Sequence, residues 1–153
     1  MSGFTLTALR WWHIEDLLPI EAELFGEEAW TAAMFWSELA NGTWYRVAVE
    51  DGTVLGYGGV AINGEEAWIN NIAVRASQQR RGIGAALLTE LVAHAVQNRT
   101  QTLALEVAVD NGPAQRMYER FGFDGVAVRK GYYQPSNTDA LVMIKDMSSE
   151  SEA

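Results

Sequence analysis

Residues 69–88 read INNIAVRASQQRRGIGAALL and contain three patterns in succession. An apolar run from Ile69 to Val74 predicts a buried strand, and the run that follows Gly84 predicts a helix. Between them lies a basic, glycine-bearing turn, residues 79–84 (QRRGIG). Glycines let the backbone approach a ligand closely, and the free amides and the dipole at a helix start attract an anion. The stretch therefore predicts an anion-binding turn between a strand and a helix.

Apolar periodicity and turn residues predict the remaining elements. The pairs Asp51-Gly52 and Asn63-Gly64 are hairpin signals, so the strands around them are expected to form an antiparallel meander. Thr31 and Asn111 are the expected N-caps of two helices. The predicted strands are 4–9, 44–49, 54–62, 67–74, 102–109, 123–132 and 139–145, and the predicted helices are 14–25, 32–39, 82–97 and 111–122.

The order of these elements predicts an α/β fold. We expect one mixed, mostly antiparallel sheet of about seven strands, with four helices on its two faces. Strands four and five should be a parallel pair, because a long helix joins them as a crossover. A chain of 153 residues is expected to form one domain. We place that domain at residues 1–147 and expect residues 148–153 to be a disordered polar tail.

Composition excludes several classes of function. The chain has no cysteine, so disulfides and thiolate metal sites are excluded. His13 and His94 are far apart in the sequence and no metal is expected. The net charge of −9 argues against nucleic-acid binding, which needs a basic surface. No run of 18 apolar residues and no signal-peptide pattern is present, so we expect a cytoplasmic protein without a membrane partner.

Acidic residues are concentrated near the N-terminal end of the chain. We interpret them as a solvated helix face that could attract a peptide carrying basic residues, within the limits of salt screening. They are Glu15, Asp16, Glu21, Glu23, Glu27 and Glu28.

Three motifs follow one another between residues 70 and 125. The first is NIAV at 71–74 followed by QRRGIG at 79–84, the second is LEV at 105–107, and the third is NGPAQRMYERFGF at 111–123. Together they resemble the GCN5-related N-acetyltransferase (GNAT) superfamily. The resemblance implies the fold of that family, with acetyl-CoA as co-substrate and its pyrophosphate on the basic turn.

Further motifs are similar to one subfamily. AWT at 29–31, LEV at 105–107 and RKGYY at 129–133 resemble the ribosomal-protein alanine N-acetyltransferase (RimI) subfamily. Members of that subfamily acetylate the N-terminal amine of a small-subunit ribosomal protein. The chain departs from the family pattern at Arg75-Ala76, where an acidic residue or asparagine and then a proline are usual. We expect this loop to be less rigid than its counterparts.

The resemblance also implies which residues form the site. Glu106 would be the general base and Tyr118 the general acid, in a direct attack of an amine on the thioester without an acyl-enzyme. Trp30, Tyr132 and Tyr133 would bind the peptide N-terminus. The residues implied to bind the co-substrate are Ile72, Ala73, Val74, Gln79, Arg80, Arg81, Gly82, Ile83, Gly84, Ala85, Asn111 and Tyr118.

The residues by themselves leave alternatives open. Glu106 could be an exposed strand glutamate, Tyr118 a core tyrosine at helical spacing, and the tyrosine pair ordinary packing aromatics. An amine attacks a thioester only when neutral. At pH 7 this costs about 1.2 kcal/mol for an α-amine and about 4.6 kcal/mol for a lysine, so a single carboxylate suits the α-amine better.

Other functions compatible with the GNAT resemblance remain open as well. An enzyme of this fold could acetylate a small amine such as a polyamine, or lysines of folded proteins. A CoA-binding regulatory module without turnover is a further alternative, although it would be expected to lack Glu106 or Tyr118.

Overall fold

The computed structural model describes residues 3–148 of the chain. The seven strands are β1 (Thr5–Ala8), β2 (Trp44–Glu50), β3 (Thr53–Asn63), β4 (Glu66–Val74), β5 (Thr102–Ala108), β6 (Asp124–Tyr133) and β7 (Thr138–Asp146). They form one sheet in the order β1-β2-β3-β4-β5-β7-β6. The four helices are α1 (Ile14–Phe25), α2 (Ala32–Ala40), α3 (Ile83–Gln97) and α4 (Gly112–Arg120). The predicted α/β fold with seven strands and four helices is confirmed.

The strand directions agree with the predicted mixed sheet. β2 runs antiparallel to β1 and to β3, and β7 runs antiparallel to β5 and to β6. β4 and β5 are parallel, and their register joins Glu66–Trp68 to Thr102–Ala104. Because α3 connects these two strands, the predicted parallel crossover is confirmed.

Local sequence signals explain where elements begin and turn. The Thr31 hydroxyl accepts a hydrogen bond from the Met34 amide at 3.3 Å and caps α2. The Asn111 side chain accepts from the Ala114 amide at 3.3 Å and caps α4. Asp51 and Gly52 have φ angles of 51° and 78°, the left-handed pair that a two-residue hairpin turn requires. Three single-turn 3-10 helices, Trp11–His13, Gly26–Glu28 and Ala76–Gln78, were not predicted.

The chain divides into two units. The first comprises Met1–Ala61 and Asn70–Leu91, and its main core cluster joins α1 and α2 to aromatic residues of β2 and β3. Phe35, Tyr45 and Tyr57 lie at its centre with edge-to-face ring contacts. The second unit comprises Ile62–Ile69 and Val92–Ala153. Its fully buried side chains include Leu103, Leu105, Phe123, Ala140 and Met143. The predicted polar tail lies outside the described residues, apart from Ser148.

Candidate active site

The basic turn of the first unit ends in a helix start. Arg80 and Gly82 have φ angles of 71° and 83°, so the backbone passes twice through the left-handed region before α3 begins at Ile83. The Ala86 amide donates to the Gly82 carbonyl at 2.9 Å, which closes the first turn of the helix. The amides of the residues within that turn have no partner inside a helix. The turn therefore has the backbone geometry of an anion site.

The side chain of Arg81 is bound within the protein. Its guanidinium donates to both carboxylate oxygens of Glu50, at 3.0 Å and 2.9 Å, and to the Gln78 side chain at 2.7 Å. The two hydrogen bonds from Arg81 hold the pKa of the Glu50 carboxyl below its usual value. Glu50 offsets the positive charge of Arg81, so Arg80 is the better source of uncompensated charge at the turn.

Arg75 fixes the loop that precedes the turn. Its backbone amide donates to the Leu55 carbonyl at 2.8 Å, and its Nε donates to the Val54 carbonyl at 2.8 Å. The residue at which the chain departs from the family pattern thus ties the end of β4 to β3.

Glu106 of the second unit lies in an ion pair on the sheet. Its Oε2 accepts from Arg129 Nη1 at 2.9 Å, across β7 from β5 to β6. The residues opposite them on β7 are Val142 for Glu106 and Ala140 for Arg129. The Glu106 side chain is 12% exposed and that of Arg129 is 56% exposed. Glu106 is therefore a largely covered carboxylate with a cationic partner, and not an open strand glutamate.

The two tyrosines lie beside this ion pair. The Arg129 guanidinium stacks on the Tyr132 ring at 4.3 Å, and the Tyr132 and Tyr133 rings meet edge to face at 5.0 Å. The Tyr133 hydroxyl donates to the Glu106 backbone carbonyl at 3.4 Å. Burial, followed by the charge of Glu106, raises the pKa of the Tyr132 phenol. Three residues predicted separately, Glu106 and the two tyrosines, are thus brought together with Arg129.

A second ion pair fixes the strand that carries the tyrosines. Asp139 accepts from the Gly131 amide at 2.8 Å and from Lys130 Nζ at 3.1 Å. The Gly131 hydrogen bond is the larger cause of the lowered pKa of the Asp139 carboxyl. Gly131 has a φ of 59°, and the β6–β7 register shifts between Arg129 and Tyr133. The two tyrosines therefore lie at the end of an irregular stretch of β6.

Tyr118 is buried on α4. It is 5% exposed and contacts Phe123 edge to face, with 5.9 Å between ring centroids. Burial raises the pKa of its phenol, and Tyr133 adds to that shift. The phenol is therefore protonated throughout the physiological range, which a hydrogen-bond donor requires. Asn111 at the start of the same helix uses its side chain as the cap.

Trp30 belongs to the aromatic core of the first unit. Its ring lies 5.2 Å from that of Phe35, and its backbone amide donates to Glu21 Oε1 at 2.7 Å. The other Glu21 oxygen accepts from the Tyr57 hydroxyl. Trp30 is partly buried against the core, so packing accounts for much of its surface.

The interpretation of the early acidic residues as a solvated face is wrong for Glu21. Its side chain is buried, with 1% of the residue exposed, and burial raises the pKa of its carboxyl. The interpretation holds for Glu15, Asp16, Glu23 and Glu27, which are exposed. A buried carboxylate at this position links α1 to the loop that carries Trp30.

Comparison with known proteins identifies the family. The model of the acetyltransferase (GNAT) family matches residues 6–123. The chain belongs to the GNAT family. This acetyltransferase is 36% identical to the N-alpha-acetyltransferase RimI of Mycobacterium tuberculosis over 148 residues, which cover 93% of this chain and 92% of the relative.

Solved structures agree with this assignment. The ribosomal-protein-S18-alanine N-acetyltransferase of Escherichia coli superimposes with a TM-score of 0.85 at 28% identity, covering 95% of this chain and 94% of that one. A chain of the NatC complex bound to Gag peptide and CoA has the same fold at 18% identity. Its TM-score is 0.84, over 95% of the acetyltransferase and 99% of that chain.

The roles of two residues of the acetyltransferase were not predicted from the sequence. Arg129 stands in the RKGYY motif, but no role was predicted for it, because its contact with Glu106 depends on strand register. Glu21 could have been found, since it lies four residues after Leu17 and seven after Ile14, which are on the buried face of α1. Within residues 3–148, no cluster of three or more histidine or acidic side chains is arranged to hold a metal ion. No helix in that range is both long and apolar enough to cross a membrane.

Proposed function

We propose that the protein transfers the acetyl group of acetyl-CoA to the N-terminal α-amine of a protein, with alanine as the first residue and a small-subunit ribosomal protein as the target. The observation that carries this proposal is the likeness to N-alpha-acetyltransferase RimI over nearly the full length of both chains. The structural likeness to the S18-alanine enzyme supports the choice of target. A ribosomal target would place the reaction in the cytoplasm.

The turn at the start of α3 is proposed to bind the pyrophosphate of acetyl-CoA. The residues fit this ligand, because the first-turn amides follow two left-handed residues and Arg80 adds a charge. Ile72, Ala73 and Val74 of β4 would offer backbone groups to the amide-rich pantetheine arm, in the manner of an added strand. The thioester of the co-substrate supplies the acetyl group.

Glu106 is proposed to receive the proton that the α-ammonium must lose. Its carboxylate is largely covered and lies next to the tyrosines proposed to hold the peptide. Removing a proton from an α-amine at pH 7 costs about 1.2 kcal/mol, whereas a lysine costs about 4.6 kcal/mol. The difference of about 3.4 kcal/mol corresponds to a preference of about 300-fold for the α-amine if nothing else in the site lowers the pKa of the lysine.

Tyr118 is proposed to assist the leaving group. The neutral amine attacks the thioester carbonyl, a carbon–nitrogen bond forms, and the carbon–sulfur bond breaks. The acylated nitrogen releases its second proton to solvent, and the departing thiolate takes the phenolic proton of Tyr118, which is then replaced from solvent. Because burial raises the pKa of this phenol, Tyr118 keeps its proton until the thiolate develops, and its hydroxyl is then available to donate to the sulfur.

Peptide acetylation tests the proposed acceptor. The protein is incubated with acetyl-CoA and an alanine-initiated peptide that contains one lysine, in a form with a free α-amine and in a form with a blocked one. We expect the free form to react at least about 100-fold faster, given the difference in deprotonation cost. Equal rates for the two forms would exclude the N-terminal reaction and favour lysine acetylation.

The variant Glu106→Gln tests the base. Its rate should fall most at pH 6–7 and approach the wild-type rate near pH 9, where the amine loses its proton unaided. Glu119→Gln makes the same chemical change at an exposed position of α4 and serves as the matched control. A loss for Glu106→Gln that is the same at every pH would remove Glu106 from the role of base.

A further inference from the structure

Arg129 stands between the carboxylate of Glu106 and the ring of Tyr132. Its Nη1 lies 2.9 Å from Glu106 Oε2, and its guanidinium carbon lies 4.3 Å from the centroid of the Tyr132 ring. The side chain reaches across β7, where the facing residues are Ala140 and Val142. Neither of these two facing residues is charged.

An unpaired carboxylate next to the bound amine would make that amine less reactive. It attracts the ammonium form, which cannot attack, and so raises the pKa of the bound amine. A cation close to the carboxylate opposes that effect, because it repels the ammonium while leaving the carboxylate in place to receive a proton. The Arg129–Glu106 pair has no net charge, which suits a site that must bind an amine and release its proton.

We propose that Arg129 is a positioning residue that balances the charge of Glu106, so that the bound α-amine is neutral at physiological pH. This inference rests on the proposed function, in which Glu106 receives the proton of the α-amine. The guanidinium is in contact with both the Tyr132 ring and the Glu106 carboxylate, and these two contacts place its charge beside the carboxylate. Arg129 itself takes no proton and forms no bond to the substrate in this scheme.

Other titratable groups around the pair do not supply the same effect. Tyr132 on β6 and Tyr118 on α4 have pKa values raised mainly by burial, so their phenols are neutral in the working range. Tyr133 contacts the backbone carbonyl of Glu106. Lys130 pairs with Asp139, and that pair contributes no net charge. Of the cations on β6, Arg129 is the one bonded to the Glu106 carboxylate.

The pH profile of kcat for an alanine-initiated peptide with a free α-amine tests the proposal. The proteins are wild type, Arg129→Gln, Arg129→Lys and the matched control Lys130→Gln, which removes the neighbouring charge. We expect Arg129→Gln to shift the rise of kcat to higher pH by about one unit, with a rate about tenfold below wild type at pH 7 and within about twofold at pH 9.5. Arg129→Lys and Lys130→Gln should keep the midpoint of the wild-type profile.

A purely structural role for Arg129 would give a different result. Its loss would then lower kcat by one factor at every pH, and parallel profiles for wild type and Arg129→Gln would overturn the proposal. If Arg129→Gln does not fold, a shifted midpoint for Arg129→Lys would overturn it as well, since lysine keeps the charge. The proposed function is tested separately, by the rates of the wild-type protein with peptides whose α-amine is free or blocked. That result does not depend on the pH profiles of the variants.

Discussion

Replacing Glu21 with alanine should strongly destabilise the first unit, because a buried hydroxyl and a partly buried amide would lose their acceptor. The Glu21 carboxylate accepts from the Trp30 amide at 2.7 Å and from the Tyr57 hydroxyl, and the residue is 1% exposed. A buried donor without an acceptor costs about 1–3 kcal/mol, which applies to the Tyr57 hydroxyl, and the partly buried Trp30 amide adds a smaller cost. This is a large part of the roughly 5–15 kcal/mol that stabilises a typical domain.

The free energy of unfolding in urea, followed by circular dichroism, measures this loss. Glu21→Gln is the matched control, because its side-chain oxygen can still accept from Trp30 while its amide donates to the Tyr57 oxygen. Tyr57→Phe completes a double-mutant cycle with Glu21→Ala. We expect the phenylalanine substitution to cost less in the alanine background than in the wild type, since the orphaned hydroxyl is then removed.

A small effect would refute this reasoning. If Glu21→Ala lies within about 0.5 kcal/mol of the wild type, it behaves as a surface substitution, and the carboxylate is not the buried acceptor described above. Equal losses for Glu21→Ala and Glu21→Gln would also contradict it. Because the lost hydrogen bond frees the loop at Trp30, the KM for peptide should rise in Glu21→Ala more than the KM for acetyl-CoA.

Three further predictions concern pH, turnover and packing. Burial raises the pKa of the Glu21 carboxyl in the folded state. The stability of the wild type relative to Glu21→Gln should therefore fall as the pH rises from about 4.3 through that raised pKa. A difference in urea midpoint between the two proteins that is constant between pH 4 and pH 8 would contradict this. Tyr118→Phe should lower kcat by about 100-fold or more while calorimetry finds little change in CoA affinity, and wild-type turnover would end its role as acid. Gly59→Ala should cost about 1–3 kcal/mol of thermal stability, because its Cβ would overlap the Tyr45 ring, and the cost should shrink in a Tyr45→Leu background.

The elements could be predicted from the sequence because their signals are local. The hairpin at Asp51-Gly52, the cap at Thr31 and the cap at Asn111 each depend on a few neighbouring residues, and each is found where it was expected. The parallel pairing of β4 and β5 followed from the connection between them, since a helical crossover leaves little choice of direction.

The partners of the charged side chains could not be predicted in this way. Arg129 meets Glu106 because β7 lies between their strands and sets a register that no local pattern encodes. Arg81 was expected to add charge at the anion site, yet its guanidinium is bonded to Glu50, 31 residues away in sequence. Glu21 was misplaced because acidic residues crowd around it, and their number obscured the apolar stripe to which it belongs.

The loop at Arg75-Ala76, before the basic turn, lacks the proline of the family pattern and is held by hydrogen bonds instead. A proline ring restricts the unfolded chain as well as the folded one, so its benefit is entropic. Arg75 instead holds the loop through hydrogen bonds to the Val54 and Leu55 carbonyls, which exist only while β3 and the loop remain in contact. We therefore expect this loop to open at denaturant concentrations well below those that unfold the whole protein. Amide exchange at Arg75 would report how readily the entrance to α3 opens.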